Sequence, residues 1–219
     1  MDTARRRRLT RAAYRITKRG MDLGGAVVAL GMTAPALAVV ASCIALTMGR
    51  PVLFSQTRPG YRGRPFTIRK FRTMRSLRAG EKLVADDGLR MTRLGRFLRA
   101  TSLDELPTLL SVVTGDMSLV GPRPLLMSYL ERYSVEQARR HLVKPGITGW
   151  AQIHGRNDVS WEDKLAMDVW YVDNASLLLD VKILVKTVAK VARREGVTRA
   201  GTSTTVEFMG SDGEKGSVR

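Results

Sequence analysis

A chain of 219 residues is long enough for one medium domain with an appendage and too short for two full domains. Its 44% hydrophobic and 26% charged residues are the proportions of a folded protein and exclude wholesale disorder. A net charge of +17 points to a polyanionic partner, whether nucleic acid, anionic lipid headgroups or phosphate-bearing substrates.

From Leu23 to Met48 the chain carries no charged residue. The run is roughly 26 residues, or ~39 Å as a helix, longer than a bilayer core of about 30 Å and too long for the apolar core of a cleavable signal peptide. Both flanks are basic: Arg5 to Arg8, Arg11, Arg15, Lys18 and Arg19 precede it, and Arg50, Arg58, Arg62, Arg64, Arg69, Lys70, Arg72 and Arg75 follow it. Positive flanks stay on the cytoplasmic side, which a single straight span cannot satisfy at both ends. Pro35, with Gly31 one turn before it, removes a helical hydrogen bond and predicts a bend at Ala34-Pro35. A helix that enters the bilayer, turns there and returns to the same face reconciles the charges. One spanning helix with a proline kink is the alternative.

Next in the chain, Val52–Arg58 and Arg64–Phe71 read as strands around the turn Pro59-Gly60-Tyr61-Arg62-Gly63, with Pro65 arguing for an edge position. The segment 75–90 is polar, read as loop or short helix, and Thr92–Ala100 is an amphipathic helix. A further helix is expected to begin at Ser102, where Ser-x-x-Glu (Ser102 to Glu105) has the capping-box pattern, and to stop at Gly115. Val120-Gly-Pro-Arg-Pro124 cannot be regular helix, Leu125–His141 is predicted helical, and Lys144–Gly149 is read as a punctuated loop. Over Ser176–Arg194 the cations Lys182, Lys186, Lys190 and Arg194 recur every four residues against an apolar side. Such a helix suits a membrane interface, and equally an ordinary surface position. Beyond about Val197 the chain is rich in Gly, Ser and Thr and is expected to be poorly ordered.

Asp104 and Glu105 fall in the first turn of the helix expected at Ser102, where the dipole and free N–H groups favour an ionised carboxylate. Taken alone the pair reads as a helix cap. Its company changes the weighting: Lys70 and Arg72 in IRKFRTM, Arg99 just before the pair, Arg123 between two prolines and Arg156 in HGRN. Arginine forks match phosphate oxygens, so two adjacent acids among such cations suggest phosphoryl chemistry with Mg2+. The single Cys43 excludes an internal disulfide, and two histidines without clustered thiols leave no zinc site, so a metal here is expected to be a hard cation on carboxylate oxygens. A purely surface-solvating role for the cations remains the alternative from spacing alone.

The stretches KFRTM (70–74), LRATSLDELPTLLSVVTGDMSLVGPRPLL (98–126), KPGITGWAQIHGRN (144–157) and WEDKLAMDVWYVDNASLLLD (161–180) resemble the bacterial sugar transferase family. These are the small monotopic phosphoglycosyl transferases that act on undecaprenyl phosphate, and the similarity runs from about Lys18 to Arg194. The resemblance implies that Asp104 is a nucleophile forming a covalent phosphosugar intermediate from a UDP-sugar donor, with polyprenyl phosphate as acceptor, and that Glu105 is the Mg2+ ligand. It further implies that Lys70, Arg72, Arg99, Arg123 and Arg156 bind phosphate or line the site. Asp168 and Tyr171, in a D-x-x-Y pattern, belong to the family pattern without an assigned role. The family also carries a re-entrant helix broken at a proline. Ala34 stands here where Ser often precedes it.

The expected protein is therefore mainly α with a small β-hairpin, a monotopic membrane protein with a re-entrant helix-break-helix and interfacial amphipathic helices. Residues 1–48 form the basic segment and membrane helix, 49–196 the cytosolic catalytic domain and 197–219 a flexible tail. It is expected at the cytoplasmic face of a bacterial inner membrane, among anionic lipids, taking the first membrane step of glycoconjugate synthesis. A nucleic-acid-binding role is disfavoured, because no recognition helix or aromatic-studded β-platform is visible and the apolar run would be unexplained. A non-catalytic anchor would leave the acidic pair and its cations unexplained.

Overall fold

The computed structural model describes residues 3–76, 90–155, 159–193 and 208–210, with the backbone alone for residues 3–12 and 192. The uncharged run and its basic N-terminal flank form one helix, α1 (Thr3–Met48), with Pro35 inside it. Many of its outward residues are apolar: Val27, Val28, Met32, Val39 and Leu46 are all exposed. The helix is long and apolar enough to cross a membrane.

What holds α1 to the rest of the chain is polar at one end and apolar at the other. Asp180, fully buried, accepts hydrogen bonds from Tyr14 Oη at 3.2 Å, Lys18 Nζ at 3.0 Å and Tyr171 Oη at 2.6 Å. Asp22, also buried, accepts from the Ser118 hydroxyl and the Leu119 backbone N–H, each at 3.0 Å. Further along, Ala26 packs with Ile68, Leu109, Val112 and Met117. Val40 and Ile44 pack with Phe71 and Leu98.

The predicted hairpin is present as β1 (Leu53–Pro59) and β2 (Pro65–Phe71), antiparallel, with the ladder ending where Pro59 faces Pro65. Two residues that lack a backbone N–H terminate the pairing there. Helix α2 (Arg93–Ala100) begins at Thr92, whose hydroxyl accepts from Gly95 N at 2.9 Å. The next helix departs from expectation. Leu103–Thr108 is a 3₁₀ segment, followed by α3 (Leu109–Thr114). Ser102 takes a left-handed backbone, φ 56°, and makes no capping bond. The Glu105 side chain is drawn instead to two cations, so the capping box does not form.

Leu125–His141 is likewise not one helix. It divides into a 3₁₀ segment (Met127–Arg132), the single turn α4 (Val135–Ala138) and a second 3₁₀ segment (Arg139–Leu142). A capping box does form there, between Ser134 and Gln137, and its extended N-cap interrupts the helix. The loop read at 144–149 contains a strand, β4 (Gly146–Thr148), that pairs in parallel with β3 (Ser118–Val120). Glycine makes this crossing possible. A Cβ on Gly146 would sit 2.1 Å from Gly121 N, and one on Gly121 would sit 2.3 Å from the Lys144 carbonyl.

The chain closes with α5 (Trp150–His154), α6 (Trp161–Asn174) and α7 (Leu177–Ala192). Helix α7 turns Asp180 and Ile183 inward and leaves Leu178, Val181, Val185 and Val188 exposed. Of the expected flexible tail, Phe208–Gly210 are described, and Phe208 is buried against Tyr129, Trp161 and Leu165. The architecture is mainly helical with a small antiparallel hairpin, as expected, and the short parallel pair β3–β4 is additional.

Removing a buried carboxylate that serves three donors leaves Lys18 with only the more distant Asp22, at 3.7 Å, and takes from Tyr14 and Tyr171 the acceptor they share, with the Val120 carbonyl remaining to Tyr171. Asp180→Ala is therefore expected to lose about 3–5 kcal/mol of stability, read as a fall in melting temperature in detergent or nanodiscs. A wild-type melting temperature would show that Asp180 does not hold α1 to α7.

Candidate active site

Four segments meet at the acidic pair. Strand β2 carries Lys70 just before its last residue, α2 ends near Arg99, the 3₁₀ segment carries Asp104 and Glu105, and the turn after β3 carries Arg123 between Pro122 and Pro124. The 3₁₀ segment is fastened to β2 by the Thr108 hydroxyl, which donates to the Arg69 carbonyl at 2.9 Å. That bond sets Lys70 opposite Glu105.

Glu105 Oε1 accepts from Lys70 Nζ and from Arg123 Nη2, both at 2.6 Å, and Oε2 faces Arg123 Nη1 at 3.4 Å. Burial pushes the Glu105 carboxyl upward, but Arg123 and Lys70 together outweigh it and hold its pKa well below the usual carboxylate range. Asp104 behaves oppositely. It is buried, and burial first, then the negative charge of Glu105, push its pKa up to about 6 despite the opposing fields of Lys70 and Arg99. This corrects the expectation that the helix start keeps it readily ionised. The segment is a short 3₁₀ turn, so a weak dipole is overridden by desolvation and by the adjacent acid.

The structure brings together part of the predicted site. Lys70, Arg123 and Glu105 are in direct contact, and Arg99 lies close enough to act on Asp104, its Nε donating to Thr73 Oγ1 at 3.2 Å. Arg72 is directed elsewhere, its guanidinium donating to the carbonyls of Met48 and Gly49 at the C-terminus of α1. Arg156 lies outside the described residues. Ala34 and Pro35 are exposed in the middle of α1. Asp168 forms a buried ion pair with Arg140, 2.7 Å from its Nη2, and Tyr171 bonds Asp180 and the Val120 carbonyl. Neither Asp168 nor Tyr171 reaches the acidic pair directly.

A cleft opens beside this cluster, lined by Arg58, Lys70, Glu105, Thr108, Arg123 and Ile147 among others. Arg58 was not singled out from sequence. Burial and the like charge of Arg123 lower its pKa, so a set of cations converges on a space balanced by one paired carboxylate. Such an arrangement suits an incoming phosphate. Arg140, Asp180 and Asp22 were also missed, since nothing local distinguishes Arg140 from Arg139 or marks an acid as buried.

Among the described residues no group of three or more His, Cys, Asp or Glu forms a ready metal cage. The donor set still fits a small hard cation, which commonly takes one or two carboxylates and completes its shell with phosphate oxygens and water. The mutual repulsion of Asp104 and Glu105 is what such a cation would relieve.

A carboxyl whose pKa is raised from 3.8 to about 6 contributes stability that is present below pH 4 and lost as pH rises through 6. Asp104→Asn cannot ionise. It is expected to be more stable than the parent at pH 8 by about 1–3 kcal/mol, with the difference closing at pH 4. Equal melting curves at both pH values would contradict the burial of an ionisable group.

Residues 13–194 match the family described as bacterial sugar transferase. A protein of Bacillus subtilis (strain 168), the uncharacterized sugar transferase EpsL, is 52% identical over 196 residues, covering 90% of this chain and 97% of its own length. The UDP-glucose:undecaprenyl-phosphate glucose-1-phosphate transferase of Caulobacter vibrioides is 41% identical, covering 82% of this chain and 71% of itself. The Escherichia coli (strain K12) protein of the same description is 41% identical over 80% of this chain, which spans only 40% of that relative. The chain belongs to the bacterial sugar transferase family.

Proposed function

We propose that this chain transfers a sugar 1-phosphate from a UDP-sugar to a polyprenyl phosphate such as undecaprenyl phosphate, releasing UMP. The observation that carries the proposal is the division within the acidic pair beside a cation-lined cleft: Glu105 is clamped by Lys70 and Arg123, while Asp104 feels the fields of Lys70 and Arg99 but forms no ion pair among the described residues. Relatives described as transferring glucose 1-phosphate to undecaprenyl phosphate support the same reading.

In this mechanism the cations of the cleft bind the diphosphate. An Asp104 carboxylate oxygen attacks the β-phosphorus, the bond from that phosphorus to the bridging oxygen breaks, and UMP leaves with the electron pair. The polyprenyl phosphate then attacks the same phosphorus with its own oxygen, the Asp104 ester bond breaks, and the carboxylate is regenerated. Bound Mg2+, held by Glu105 and phosphate oxygens, would supply neutralisation of phosphate charge. Lys70 and Arg123 hold Glu105 ionised for that task, and the burial of Asp104 limits competition from water.

The membrane geometry belongs to the same proposal. A helix bent near Ala34-Pro35 that re-enters the cytoplasmic face accounts for the basic residues at both ends of the uncharged run and for Pro35 inside α1. The exposed apolar row of α7, flanked by Lys182, Lys186 and Lys190, supports an interfacial position among anionic headgroups.

Incubation with a panel of UDP-sugars, polyprenyl phosphate and Mg2+ is expected to release UMP with at least one donor. Asp104→Asn is expected to abolish turnover and covalent labelling, a loss of about 10³-fold or more. Full turnover by that variant would remove Asp104 as nucleophile. Because the attacking group must be ionised, kcat/KM should rise with pH through about 6. For topology, Ile16→Cys and Arg50→Cys in a Cys43→Ser background should both react from the cytoplasmic side, whereas modification from opposite sides would establish a spanning helix.

A further inference from the structure

Arg123 meets Glu105 through a side chain that leaves the backbone between two prolines. Neither Pro122 nor Pro124 has a backbone N–H, so neither can fasten this turn to its surroundings as a donor. The turn is held on one side by the Gly146 N–H, which donates to the Pro122 carbonyl at 3.0 Å, and on the other by Arg140, which is almost completely buried and whose Nη2 donates to the Arg123 carbonyl at 2.7 Å. The same guanidinium is gripped from α6: Nε and Nη2 both donate to Asp168 Oδ2, at 3.1 and 2.7 Å. Its Nη1 reaches the Tyr133 hydroxyl at 3.3 Å.

A buried guanidinium is stable only if its charge is compensated, and Asp168 supplies that compensation. Yet the planar fork also leaves Nη2 shared between the carboxylate and a backbone carbonyl. This sharing links α6, through the Pro-Arg-Pro turn, to the clamp on Glu105.

We infer that Arg140 and Asp168 are positioning residues for the transfer reaction: they hold the Arg123 backbone so that its guanidinium meets Glu105. Asp168 acts on Arg140, Arg140 on the Arg123 carbonyl, and Arg123 on Glu105. Nothing in this chain of contacts requires either residue to touch substrate. The inference rests on the transferase reading for its kinetic consequence, but not for its geometric one.

The full-length protein in nanodiscs tests it through Asp168→Asn, Arg140→Lys, Arg123→Ala and the double variant Asp168→Asn with Arg123→Ala. Arg140→Lys keeps a positive charge on Asp168 but has no planar fork for the Arg123 carbonyl, so it separates positioning from bulk stability. Both Asp168→Asn and Arg140→Lys are expected to lower kcat for UMP release at least tenfold at a temperature where each remains folded. Adding Asp168→Asn to Arg123→Ala should cost little more, because the group being positioned is already gone. Multiplying losses in the double variant, or an Arg140→Lys variant with parental kcat, would overturn the inference.

A second arm needs no turnover. Phenylglyoxal modification of Arg123, followed by mass spectrometry without substrate, should accelerate severalfold in Asp168→Asn and Arg140→Lys as the Arg123 carbonyl is released from Arg140. An unchanged rate in both folded variants overturns the inference by itself. If the parent protein releases no UMP from any donor, the transferase reading fails, and the modification arm still decides whether Asp168 and Arg140 hold Arg123.

Discussion

A single carboxylate shared by two cations is the interaction on which this molecule is organised. Glu105 joins the end of a hairpin strand, through Lys70, to a proline-bounded turn, through Arg123, and its own segment lies between them. A half-buried carboxylate is costly unless paired, and here the pairing wins over the local alternative of capping a helix. That choice explains why Ser102 does not cap and why the segment is a 3₁₀ turn rather than the start of a longer helix. It also sets the chemistry of the neighbour. With Lys70 and Arg123 committed to Glu105, Asp104 feels burial and a like charge more strongly than it feels either cation.

The rest of the fold keeps those three segments in register. Thr108 ties the acidic segment to β2, and the close glycine crossing of Gly121 and Gly146 brings the Pro-Arg-Pro turn alongside the same cleft. Helix α1 is secured at its polar end by Asp22 and Asp180, so its exposed apolar middle need not hold the molecule together. The excess of positive charge is correspondingly divided. Some cations are spent inside on paired carboxylates, and others, such as Lys182, Lys186 and Lys190, line an outward helix.

Local pattern was sufficient for elements whose partners are near in sequence. The hairpin follows from two β-rich runs around a Pro-Gly turn, and α2 follows from Thr92 and its apolar side, so each appears within about a residue of its expected place. Pattern failed where a distant partner decides. Gly146–Thr148 looks like loop because a three-residue parallel strand has no periodicity to read, and its partner lies far upstream at Ser118–Val120. Leu125–His141 reads as one helix, yet the Ser134–Gln137 cap and the burial of Tyr129 beside Phe208 divide it.

For the site the same boundary holds. Sequence by itself determined the presence of the acidic pair, the cations that accompany it, the long apolar helix and the family to which they belong, because these are properties of residue type, spacing and motif. Only the tertiary structure decided which cations face which acid: Lys70 and Arg123 on Glu105, Arg99 near Asp104, Arg72 on the end of α1. It alone gave Asp168 a partner and showed Asp180 to be the buried acceptor that joins α1 to α7. The physical reason is that charge and hydrogen-bonding capacity are written in each residue, whereas burial and pairing, which set what that capacity does, arise only when segments far apart in the chain are brought together.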